Sequence, residues 1–141
     1  MQNNPSPDKY LQILRSLNLA RRMIYRKMTR SMNDRLTKMF SKLSLDSESN
    51  ASELSDYISD ETSNSHLSEV FGPARLVESI EEKKEELFDQ CRTAEWRLLR
   101  FYEELITNPQ VSFDLRTVLS NQREKVMSGY ENLNLLSRYP W

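Results

Sequence analysis

CRTAEWRLLRFYEEL, residues 91–105, decides how this chain is read. At 3.6 residues per turn it sets Cys91, Ala94, Leu98, Phe101 and Leu105 on one stripe, with the carboxylate of Glu95 at the stripe's edge. Spacings of three and four exclude a strand, whose apolar residues would alternate. The stripe extends backwards through Leu87, Ile80 and Val77, broken only by Lys84, and predicts a helix over 74–106. Asn108-Pro109 ends it, because the residue before a proline is pushed out of the helical region. Its outer face, EEKKEELFDQ (81–90), repeats Glu at i,i+4, as in Glu81 with Glu85 and Glu82 with Glu86. Such like-charge pairs favour a basic neighbour.

Three more helices follow from the same periodicity. The first is predicted over 8–31, with Ser6 as N-cap, Pro7 in the first turn, and Leu11, Leu14, Leu17, Ile24 and Met28 on its apolar face. Asn33-Asp34 supplies turn chemistry. The second helix, over 34–59, carries Leu36, Phe40, Leu43, Leu54 and Ile58. In its middle, Ser47 and Asn50 or Ala51 stand where the stripe should continue, which predicts either fraying or a close polar contact in the interior. The last helix, over 113–137, carries Leu115, Leu119, Val126, Leu133 and Leu136, with Gln122 and Gly129 inside its stripe. A mid-helix glycine costs ~1 kcal/mol relative to alanine, and a close helix crossing would account for it. The tail Tyr139-Pro140-Trp141 is expected to pack on the bundle or on a dimer mate.

The links sort the helices. Short links join the first pair and the last pair, as between antiparallel neighbours. Residues 60–73, DETSNSHLSEVFGP, are polar and end in Gly-Pro, a link long enough to cross over a bundle. Two hairpins joined this way predict an all-α, up-down-down-up four-helix bundle of the ferritin-like kind, filling one domain over 1–141.

Composition narrows the function classes. The chain has 141 residues, only 2 Gly, one cysteine and one histidine. No apolar run is long enough to span a membrane, and MQNNPSPDKY lacks the regions of a signal peptide, so a cytoplasmic protein without a membrane span is expected. The net charge of −1 hides an asymmetry: Lys9 to Lys42 holds ten bases and one acid, Asp34, whereas Asp46 to Glu104 holds sixteen acids and six bases. Internal pairing of basic against acidic helices is one outcome. A basic face for an acidic partner is the other, carried by LARRMIYRKMTR (19–30) with Arg21, Arg22, Arg26, Lys27 and Arg30. Long helices without a compact helix-turn-helix argue against nucleic acid.

Tyr25, together with Leu87-x(3)-Cys91-x(3)-Glu95-x(6)-Tyr102 and Glu103, resembles an uncharacterised bacterial family of ferritin-like four-helix proteins, over roughly residues 10–136. The resemblance implies the bundle and leaves the biochemical role open. Metal-binding ferritin-like proteins place a Glu on each of two helices and Glu-x-x-His on the other two. Here the first helix has no acid between Lys9 and Asn33, His66 lies in the polar link, and Glu124 is followed at i+3 by Met127. A thioether suits a hard dinuclear site poorly. Glu53, Glu95 and Glu124 are the candidate remnants of an iron or manganese site. The competing expectation pairs these carboxylates with arginines such as Arg21 or Arg22. Cys91, on the core stripe, is expected to be a packed thiol, and neither a phosphate loop nor a CxxC is present. The expectation is a non-catalytic, cofactor-free structural or interaction module, pairing as a homodimer. A degenerate metal or oxidative-stress protein and a helical adaptor with a basic first helix are the alternatives.

Overall fold

The computed structural model describes residues 7–31, 34–58 and 84–136. These form four helices: α1 (Pro7–Ser31), α2 (Asp34–Ser55), α3 (Lys84–Ile106) and α4 (Phe113–Leu136). Residues 60–73, the expected first ten residues of the third helix (74–83) and the aromatic tail lie outside the described residues. So do Ser6, Asn33 and His66.

Contacts between side chains give the directions. Asn18, Arg21 and Met28 of α1 meet Tyr102, Glu95 and Cys91 of α3, so the two helices are antiparallel. Asn18, Arg21 and Tyr25 meet Asn50, Ser47 and Phe40, so α1 and α2 are antiparallel too. Gln122 and Gly129 of α4 approach Asn50 and Leu43 of α2. Tyr130 and Gln122 approach Trp96 and Tyr102 of α3. The bundle is therefore two antiparallel hairpins, α1–α2 and α3–α4, packed so that every helix runs against both of its neighbours.

Apolar stripes fill the interior. Leu11, Leu14, Leu17, Leu54, Leu105 and Leu119 are buried toward one end, and Ile24, Tyr25, Met28, Phe40, Cys91 and Leu133 toward the other. Burying a leucine side chain contributes about 1.5–3 kcal/mol, so these stripes, more than helix propensity, hold the helices together.

The helix ends follow local chemistry. α2 stops at Ser55, short of the expected residue 59. Tyr57 N bonds Leu54 O at 3.0 Å and Ile58 N bonds Ser55 O at 3.4 Å, tight i→i+3 bonds that unwind the last turn where Ile58 is only partly buried. At the C-terminus of α3, Arg116 donates from Nε to Ile106 O (2.8 Å) and from Nη2 to Asn108 O (2.9 Å), satisfying carbonyls that a helix end leaves bare. Ser112 caps α4, accepting at Oγ from Leu115 N at 3.2 Å. Among the described residues no helix is long and apolar enough to cross a membrane.

Candidate functional site

Halfway along the bundle the apolar stripes give way to polar side chains, and each helix contributes. α1 brings Asn18 and Arg21, α2 brings Ser47 and Asn50, α3 brings Glu95 and Tyr102, and α4 brings Gln122. All seven are fully buried. The three-residue steps between 18 and 21, and between 47 and 50, put both members on the same inward face. The residues therefore sort into two layers, about one turn apart on α1 and α2.

The first layer is a closed ring with one residue from each helix. Asn50 Nδ2 donates to Asn18 Oδ1 (3.2 Å), and Asn18 Nδ2 donates to Tyr102 Oη (3.1 Å). Tyr102 Oη in turn donates to Gln122 Oε1 (2.8 Å), and Gln122 Nε2 closes the ring on the Asn50 carbonyl (3.2 Å). Gln122 Nε2 also reaches Glu53 Oε1 at 2.9 Å, so an exposed carboxylate anchors the ring at the surface. Burial pushes the Tyr102 hydroxyl up. The Asn18 hydrogen bond and the Arg21 charge only partly reverse this, so Tyr102 stays a neutral donor.

The second layer is ionic. Arg21 grips Glu95 with two prongs, Nε to Oε2 at 2.7 Å and Nη2 to Oε1 at 2.6 Å. Its Nη1 donates to Ser47 Oγ (3.0 Å), and Ser47 Oγ donates on to Leu43 O (2.7 Å). The guanidinium also lies 5.6 Å from the centroid of the Tyr25 ring. Burial alone would lower the pKa of Arg21, but the Glu95 charge and its hydrogen bonds more than offset this and hold it above its ordinary value. Gly129 is the fourth helix's contribution. A Cβ there would sit 2.5 Å from Leu43 Cδ2, 3.5 Å from Arg21 Nη2 and 3.8 Å from Glu95 Oε1. The glycine in the stripe of α4 thus leaves room for the Leu43 side chain of α2 beside the ion pair.

Tyr25 and Cys91 close the belt on one side. Tyr25 Oη is buried without a hydrogen bond. Burial, then the charges of Glu95 and Cys91, push its pKa up. The Cys91 thiol contacts Met28 Sδ at 3.9 Å, and burial, then the Glu95 charge, push its pKa up too. A thiol held neutral is a poor nucleophile and a poor metal ligand.

The candidate residues separate. Glu95 has both oxygens committed to Arg21. Glu53 is exposed and holds Gln122, and Glu124 is exposed beside a surface depression next to Arg123. Among the described residues no three His, Cys, Asp or Glu side chains are gathered to hold a metal ion. A dinuclear centre needs several carboxylates facing one another, so these residues do not fit one. Arg21, placed by the sequence either on the outward basic face or beside a carboxylate, takes the second place and is turned inward, where Glu95 and Ser47 compensate its burial. Arg22 is half-buried, Arg26 and Lys27 are exposed, and the Arg30 side chain lies outside the described residues. Arg26 makes a loose contact with Glu48 at 3.7 Å.

Sequence reasoning missed Asn18. Its signal was available: a polar residue on the core face of α1 at the same depth as Asn50 on α2. Compared with protein-family models, curated proteins and solved structures, the chain matches none of them.

Proposed function

We propose that this chain is a ferritin-like bundle serving as a structural or interaction module, cytoplasmic and homodimeric, whose interior carries an ion pair in place of a dinuclear metal centre. What supports the ferritin-like assignment is the direction order up, down, down, up, with all neighbours antiparallel. The observation that carries the functional reading is the two-pronged Arg21–Glu95 pair. It neutralises the one carboxylate buried in the belt among the described residues with a fixed cation, and metal ligands must be both deprotonated and free.

The test is metal content per chain, measured on protein purified without chelators from metal-supplemented cells. Substoichiometric metal, unchanged in Glu95→Gln and Glu124→Ala, is the expected result. Near-stoichiometric iron, manganese or zinc that falls in those variants overturns the reading.

A second reading follows from Arg26 and Lys27, exposed on α1 beside the half-exposed Met23. It makes α1 an adaptor surface for an acidic protein. Association that weakens steeply with salt, and is lost in Arg26→Glu/Lys27→Glu, is its expected mark.

A further inference from the structure

α3 leaves one face outside the bundle. Thr93, Trp96, Arg97, Arg100, Glu103 and Glu104 recur on it at three- and four-residue spacing. Trp96 keeps 47% of its surface in water, backed by the Tyr130 ring at 5.7 Å. Arg97, Arg100 and Glu104 form no ion pair among the described residues, and Glu103 has only a loose 3.6 Å contact with Arg123. Along the face, two cations are followed by two anions. A second such face laid antiparallel meets cation with anion, whereas a parallel one meets like with like.

A depression lies further along the same groove between α3 and α4, lined by Glu103, Ile106, Thr107 and Arg123 among others. Trp96 and Ile106 are ten residues apart, roughly 15 Å along the helix. A two-fold axis perpendicular to α3, passing near Phe101, exchanges these two positions. It also keeps the α4 side of one chain against the α4 side of the other, the side on which both Trp96 and the depression lie.

From this we infer that the outer face of α3 is an isologous dimer interface whose occupant is a second copy of this chain. Trp96 seats in the depression at Ile106 and Thr107 of the second copy. Arg97 faces Glu104 there, and Arg100 faces Glu103. A half-exposed aromatic anchor flanked by charges that reverse under a two-fold is what a self-complementary surface requires. The assignment rests on the homodimer reading above and locates it.

Sedimentation equilibrium over a wide concentration range tests it, with far-UV circular dichroism confirming that each variant keeps its helices. The full chain is expected to reach twice its 16.7 kDa mass. Trp96→Ala weakens self-association about 30-fold, the effect of removing a central anchor. Arg97→Glu and Glu104→Arg each weaken it roughly tenfold. An equimolar mixture of those two variants associates as wild type does, because a mixed pair holds both ion pairs again, one of them with its signs exchanged. A chain that stays monomeric at every concentration overturns the interface. So does a dimer indifferent to all three substitutions, or one that the mixture fails to restore. None of these outcomes bears on metal content, which separately decides the metal-free reading.

Discussion

Arg21 and Glu95 meet through two hydrogen bonds, at 2.6 and 2.7 Å, with neither side chain accessible to water. Desolvating two charges costs several kcal/mol per ion, and their attraction repays it only with good geometry and satisfied hydrogen bonds. Both conditions hold, since Ser47 and the Tyr25 ring occupy the remaining sides of the guanidinium. The pair also joins the two hairpins in one register: sliding α3 along α1 by a turn would strand both charges.

Removing one partner should therefore cost far more than removing both. Arg21→Met or Glu95→Leu alone is expected to lower stability by about 3–5 kcal/mol, because each leaves an uncompensated buried charge. The double variant should recover most of that loss. Urea unfolding midpoints at constant m-value give the comparison. Additive losses in the double variant would show that the pairing itself is not the source.

The two buried tyrosines should respond differently to loss of the hydroxyl. Tyr102 Oη both accepts from Asn18 and donates to Gln122, so Tyr102→Phe leaves two buried polar groups short of a partner and is expected to cost about 1–3 kcal/mol. Tyr25 Oη lies near Glu95 and Cys91 without a well-formed hydrogen bond, so Tyr25→Phe should cost clearly less than Tyr102→Phe. Equal losses from the two substitutions would contradict the ring.

Gly129→Ala sets two effects against each other. Helix propensity favours alanine by ~1 kcal/mol, but the new Cβ falls 2.5 Å from Leu43 Cδ2, a buried methyl beside the ion pair that would have to move. Overpacking costs about 1–3 kcal/mol, so a net loss is expected. Leu43→Val should reduce that loss in a double-mutant cycle, whereas independent effects would leave it unchanged.

Stability should fall on the alkaline side. Tyr25, Tyr102 and Cys91 all have raised pKa values in the folded chain, where an unfolded thiol releases its proton near 9.0 and unfolded tyrosines near 10.0. Below those values both states hold the protons and the full stability is present. Above them the unfolded chain binds fewer protons than the folded one, so unfolding becomes progressively easier as pH rises. Thermal midpoints should thus decline from about pH 9 upward, and less so in a variant combining Tyr25→Phe and Cys91→Ala.

Cys91 supplies an independent probe of opening. With its thiol buried and kept protonated, labelling by a thiol reagent at neutral pH should follow opening of the bundle, and Arg21→Met should accelerate it in step with its loss of stability. Immediate labelling of the folded wild type would mean that the thiol is reached without opening.

The amino-acid sequence by itself determined the helices. Apolar residues at three- and four-residue intervals dictate α1, α3 and α4 almost to the residue where the structure describes them, since a helix's buried face is written in its own local spacing. Asn108-Pro109 and Ser112 likewise set the α3–α4 link through local chemistry. The sequence also flagged Ser47, Asn50, Glu95, Gln122 and Gly129 as irregular positions on otherwise apolar stripes. What they were for depended on which helices lie side by side. Arg21 reads equally as one more cation in a basic run and as a partner for Glu95, and only the placement of α3 against α1, with Glu95 74 residues away in the chain, decides between them. Gly129 reads as a weak point until the Leu43 side chain of α2 fills the space beside it. A lone polar residue on a core face costs stability, and only the tertiary structure, by aligning one such residue from each of four helices at the same depth, turns four local liabilities into a hydrogen-bonded ring that leaves Asn50 Oδ1 as its one unpaired side-chain oxygen.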